Sequence, residues 1–276
     1  FLFGFSRGAY TVRSIAGMVR KCGILTRKSV GEYVKAIALY RSPVKPTDPE
    51  AVEFRAKYSI CEDQPIAIRM IGVWDTVGAL GIPLRGLRWL TRRDHTFHDV
   101  ALSRSVEHAY HALAIDEHRK PFLPTLWRKQ EDSPDQKVQQ VWFAGAHSDV
   151  GGGYKERGLS DVALGWMMER ATVAGLAFDT AATAVRPLQP NHQLDVHDSR
   201  TILYRVVPGV DREIGRCPVD PAKPEGESQL DPTQSLHPTV MQRWRDCPQW
   251  RPRNLAKYLD SDTGGGAAGA MAPVGS

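Results

Sequence analysis

The residues best suited to chemistry are Gly4-Phe5-Ser6-Arg7-Gly8, a G-x-S-x-G pentapeptide at the head of the chain. A serine hydroxyl is a weak nucleophile until a neutral imidazole takes its proton. The imidazole in turn needs a carboxylate to fix its tautomer and stabilise the imidazolium. The bare pentapeptide arises by chance in glycine-containing turns, so its context decides what it means. Here an apolar strand pattern, Phe1 to Phe5, precedes it, and Ala9, Val12, Ile15, Ala16 and Val19 follow at helical spacing up to Gly23 as a C-cap. A strand, sharp turn and helix put the serine at the carboxyl edge of a sheet, with the two glycines removing Cβ atoms that would clash. The Arg7 N–H, at the helix N-terminus, is then expected to face an oxyanion.

Two later segments offer the base and the acid. Asp75 closes the apolar run Ile66 to Trp74 and precedes Thr76-Val77-Gly78; its competing reading is a loop cap. His147 follows the apolar run Val138 to Ala144, and the three glycines Gly151, Gly152 and Gly153 beyond it require a sharp bend or a close approach. Two arrangements fit the order of these residues. Either Asp75 is the acid and His147 the base, or Asp149 is the acid and His237, in Ser235-Leu236-His237-Pro238, is the base. Asp75, His147 and Asp149 as metal ligands lack any recognised ligand spacing. His108, His111 and His118, near Asp116 and Glu117 in a helix-like stretch, read as ordinary core or surface histidines. No metal and no cofactor is expected.

The elements that must position these residues alternate strand with helix. That argues for an α/β fold with a mostly parallel sheet flanked by helices. The pattern predicts a helix over Leu159 to Phe178 with Ser160 as N-cap, a fourth strand over Thr201 to Val207, and an irregular, partly helical, lid-like insertion over about 82–136. Residues 1–262 read as one domain, and 263–276 as a disordered Gly/Ala-rich tail. Within the insertion, residues 82–93 interleave Ile82, Leu84, Leu87, Trp89 and Leu90 with Arg85, Arg88, Arg92 and Arg93. This suits an interfacial segment on anionic headgroups, or equally a helix packed on the core with its arginines in water.

Composition narrows the function classes. A net charge of +5 fits an anionic lipid surface, whereas no concentrated basic stripe or binding module points to nucleic acid. No run of 18 apolar residues spans a membrane, and no secretory leader opens the chain, so a cytoplasmic location or export by a signal-less route is expected. The four cysteines include no CxxC pair and read as free thiols.

Four segments together, Gly4 to Tyr10, Gly72 to Ala79, Ala109 to Glu117 and Phe143 to Tyr154, carry a family resemblance. They resemble the bacterial and fungal α/β-hydrolase family of formerly unknown function that includes the first family of type VI secretion lipase effectors. The resemblance runs from residue 1 to about 180 and, more loosely, over Leu236 to Val240. It implies a phospholipase A acting on lipid or small esters through a Ser-Asp-His triad without metal. Position by position the triad falls on Ser6, Asp75 and His147, with Asp149 as a helper that orients the histidine or shapes the glycine loop. It also implies delivery to a target cell and an immunity protein as partner. Family members carry strands before the nucleophile, so the first strands of the sheet and a second oxyanion donor are expected to lie outside this sequence. The alternative is a non-catalytic hydrolase-fold module used for binding or structure in a larger toxin-like protein.

Overall fold

A computed structural model describes residues 1–61, 66–77, 102–130, 133–200, 208–217 and 230–263. Among these, five strands form one sheet in the order β1 (Leu2–Phe5), β2 (Ile68–Trp74), β3 (Val106–Ala114), β4 (Lys137–Phe143) and β5 (Gln234–Leu236). Every neighbouring pair is parallel. Parallel neighbours need crossovers, and the helices that supply them cover both faces of the sheet, giving an α/β-hydrolase-like architecture.

One face of the sheet packs on α1 (Arg7–Cys22). There Ala9 and Ala16 meet Ile71, Val73, Ala109 and Trp127. The other face packs on α5 (Gly158–Val173), whose Trp166 and Met167 meet Met70, Tyr110, Ala112, Val141 and Phe143. Adjacent residues of one strand thus serve opposite cores, as the period of two requires. Arg13 of α1, though charged, is buried. It donates to the Thr125 carbonyl at 2.5 Å and lies over the Trp127 ring.

Two expectations need correction. The stretch read as an irregular insertion contains β3, a central strand with partners on both sides. His108 and His111 are therefore strand residues rather than helical ones. The strand is buried on both faces, so its sequence V-E-H-A-Y-H-A-L-A shows no alternation of polar and apolar residues. The second correction concerns α5, which starts at Gly158. Ser160 lies in its first turn and donates to the Arg157 carbonyl instead of capping the helix. Among the described strands β1 ends the sheet order, and its Phe3 is 39% exposed. The strand expected over Thr201 to Val207, the arginine-rich segment 82–93 and residues 264–276 of the tail lie outside the described residues.

Candidate active site

The register of the sheet sets the site. Phe5 pairs with Trp74, and Trp74 with Ala112, so the residues that follow β1 and β2, Ser6 and Asp75, emerge side by side at the carboxyl edge. Among the described residues these are the two non-glycines with positive φ, 58° for Ser6 and 40° for Asp75. Left-handed backbone costs a side-chain-bearing residue of order 1–3 kcal/mol, and such strain collects where structure serves function.

The turn at Ser6 is held by its N–H donating to the Trp74 carbonyl at 3.0 Å. Gly4 is required there, since a Cβ on it would stand 2.4 Å from the Gly8 carbonyl oxygen. Gly8 is different: a Cβ on it would meet nothing within 4 Å, so only the first of the motif's glycines relieves a clash of this kind. Arg7 is the first residue of α1, and its N–H is among the donors that an α-helix leaves without an internal acceptor.

Asp75 is fully buried and used at both oxygens. Its Oδ2 lies 2.5 Å from His147 Nδ1, while Oδ1 accepts from the Ala114 N–H at 3.1 Å. Arg212, 2% exposed, donates to both oxygens: Nη1 to Oδ1 at 2.6 Å and Nη2 to Oδ2 at 3.0 Å. Burial alone would raise the Asp75 pKa, but the Arg212 guanidinium and the His147 hydrogen bond hold it well below the usual carboxylate range. Next to it, the Thr76 N–H donates to His111 Nε2 at 3.1 Å. Burial pushes the His111 pKa down to about 3, so this imidazole is a neutral acceptor that pins the loop after Asp75.

His147 begins α4 (His147–Gly151), just past β4. The turn into α4 presents three successive N–H groups, and each meets a carboxylate. Gly145 donates to Asp116 at 2.7 Å, Ala146 to Asp149 at 2.9 Å, and His147 to Glu117 at 3.4 Å. The ring of His147 lies between Phe5, centroids 4.5 Å apart, and Phe122, 4.9 Å apart in an edge-on arrangement. Gly151 makes the first contact possible, because a Cβ there would fall 2.0 Å from the Phe5 ring. Gly152 and Gly153 instead supply positive φ, 85° and 128°. The glycine run both approaches closely and bends.

Asp149 and His237 do not form the second arrangement. The Asp149 carboxylate accepts from His197, at Nδ1 (2.6 Å) and at the backbone N–H (3.1 Å). His197 stacks on Tyr154, centroids 3.8 Å apart. Asp149 thus shapes the turn that carries His147 without bonding the imidazole. His237 lies beyond β5, at the opposite end of the sheet order from β1, and caps α7 (Pro238–Asp246), with Nδ1 2.8 Å from Thr239 Oγ1. Burial lowers its pKa to about 4, and its ring stacks on Phe143.

Arg212 and His197 were not foreseen from the sequence. Neither belongs to a motif. Arg212 stands 137 residues from Asp75, on a segment fixed where the Val210 N–H meets the His118 carbonyl and the Gly215 N–H meets Gln234.

An uncharacterized protein of Saccharomyces cerevisiae, YEL023C, is 31% identical over 129 residues, 44% of this chain and 17% of that protein. A crystal structure of an uncharacterized protein from Pseudomonas aeruginosa is 24% identical with a TM-score of 0.37, covering 63% of this chain and 23% of the other. The Tle1 effector bound to the VgrG spike of the type VI secretion system is 23% identical with a TM-score of 0.31, covering 56% of this chain and 24% of that one. The chain thus spans about a quarter or less of the length of these proteins. Residues 1–170 match the family described as the Tle1-like phospholipase effector catalytic domain of type VI secretion, and the chain belongs to that family.

Proposed function

We propose that the full-length protein hydrolyses the acyl esters of phospholipids as a serine-dependent phospholipase of the A type. Ser6 is its nucleophile, His147 its base and Asp75 the acid that orients the base. One observation carries the reading: a histidine Nδ1 at 2.5 Å from a buried, ionised carboxylate, with its ring packed on the residue before a strained serine. Asp75 fixes the proton of the neutral ring on Nδ1, which leaves Nε2 as the acceptor. Nε2 takes the Ser6 proton as Oγ attacks the ester carbonyl. The Arg7 N–H and the α1 N-terminus stabilise the oxyanion, and the imidazolium returns the proton to the leaving alcohol. Water, giving a proton to the same ring, then attacks the acyl-enzyme; the Ser6 Oγ–acyl bond breaks, the imidazolium returns the proton to Oγ, and the fatty acid leaves.

Family membership supports the lipid substrate. Delivery into a target cell, contact with an anionic bilayer and an immunity partner belong to the same proposal. The test is a fluorophosphonate probe on the full-length protein, paired with fatty-acid release from phospholipid vesicles. Ser6→Ala is expected to abolish both. Labelling or release equal to the parent's would sink the assignment.

A further inference from the structure

We infer that Arg212 is a positioning residue for this ester hydrolysis, holding the Asp75 carboxylate charged and aimed at His147. The inference rests on the proposed roles of those two residues and adds a third from far along the chain. A guanidinium and a carboxylate meet best as two parallel hydrogen bonds, and Arg212 and Asp75 are joined in that way. Two-point contact fixes the plane of the carboxylate, and with it the direction in which Oδ2 faces His147.

Each of the two terminal nitrogens makes a second bond. Nη1 donates to the Ala114 carbonyl at the end of β3, at 2.7 Å, and Nη2 to the Phe122 carbonyl at 2.5 Å. Phe122 is also the residue whose ring stands edge-on to His147. Arg212 therefore joins the acid, the strand end beneath it and one wall of the base.

Replacing a buried ion pair by apolar groups is often neutral for stability or gains some, so its presence here is weak evidence of a purely structural role. The surroundings show what Arg212 contributes. Among the described residues, the charged and titratable groups facing the Asp75–His147 pair are Arg212, the buried neutral His111 on β3, and Glu117. Glu117 faces the His147 N–H and is itself matched by Arg119 at two points. Among the described residues Arg212 is thus the cation that bonds Asp75. Without it, burial acts on Asp75 opposed, among the described residues, by His147 and the Ala114 N–H. The carboxyl would then take up a proton at a higher pH and stop accepting from His147.

The experiment is the pH dependence of the fluorophosphonate labelling rate at Ser6 in the full-length protein, for the parent, Arg212→Met and Arg212→Lys. The acid limb of Arg212→Met is expected to move up by about one pH unit or more. Arg212→Lys keeps the charge but not the two-point hold. It is expected to leave the limb close to the parent's while the maximal rate falls about tenfold, the cost of a misaimed catalytic group. A strut would change the rate without moving the limb. A limb in Arg212→Met at the parent's position overturns the inference. So does Arg212→Lys with the parent's rate, a readout that stands even where the methionine variant fails to fold. Labelling of Ser6→Ala at the parent's rate would instead overturn the reading of the site, so the two failures are distinguishable.

Discussion

Replacing Gly151 by alanine tests how closely α4 and β1 are fitted. Gly151 has no positive φ, so the backbone accepts alanine, and the whole perturbation is the new methyl group. Its Cβ would lie 2.0, 2.2 and 2.5 Å from three ring carbons of Phe5, where ordinary carbon contacts lie at about 3.5–4.0 Å. The ring must therefore withdraw by roughly 1.5 Å. It has somewhere to go: a cavity of about 330 Å³ is bordered by Phe3, Phe5, Trp74, Gly151 and Leu164. Stability should thus fall near the low end of the 1–3 kcal/mol typical of overpacking, a loss of about 2–4 °C in Tm for a domain of this size. Activity should suffer more. The ring that withdraws is one of the two that enclose His147, and a displacement of about 1 Å at a catalytic group costs on the order of 100-fold. The assay is phospholipid hydrolysis by the full-length protein beside thermal unfolding, with Phe5→Leu and the double variant completing a cycle. Phe5→Leu should relieve the overlap, leaving the double variant better than the sum of the singles by about 1 kcal/mol. Turnover of Gly151→Ala within twofold of the parent, or a cycle without coupling, would refute the argument.

Other outcomes follow from the same geometry. Asp75→Asn should lower kcat by about 10⁴-fold, as expected when the base loses its orienting carboxylate, and should destabilise by about 3–5 kcal/mol because Arg212 is left buried and unpaired. Thermal unfolding and ester hydrolysis check the two parts separately. His237→Asn preserves a capping side chain and should retain turnover, whereas its loss would restore the Asp149–His237 arrangement. His111 and His237 have folded pKa values depressed to about 3 and about 4, so the unfolded chain binds more protons than the native one below the ordinary histidine value near 6.5. Stability should therefore decline as pH falls from about 6.5, by up to roughly 1.4 kcal/mol per pH unit for each group, and His237→Asn should halve the slope down to about pH 4 in urea titrations. Asp149→Asn should loosen the turn into α4, costing about 1–3 kcal/mol and slowing Ser6 labelling, and proteolysis near residue 147 would report the loosening.

How far these features could be read in the chain depends on whether they are local. The turn at Ser6 was legible because its causes lie within a few residues: a strand, a glycine that lets helix and strand backbones touch, and an amphipathic helix ending at Gly23. β2 and β4 were legible as apolar runs ending in Asp75 and near His147. β3 was not, because a strand buried on both faces loses its period. Its alanines and histidines also imitate a helix. The meaning of Asp116 and Glu117 was hidden in the same way: their carboxylates serve N–H groups of a turn some 30 residues away. Arg212 and His197 had no local signature at all, since an isolated arginine in a proline-rich stretch acquires its partner only through the tertiary fold.

The pairing of Arg212 with Asp75 also sets a clock on synthesis. A ribosome adds about 5–20 residues each second, so the 137 residues between the two take roughly 7 to 27 seconds to make. Through that interval Ser6, Asp75 and, for much of it, His147 have already been made, while the cation that completes the acid has not. The Asp75–His147 pair is then complete only after a distant residue has been made and folded back onto it.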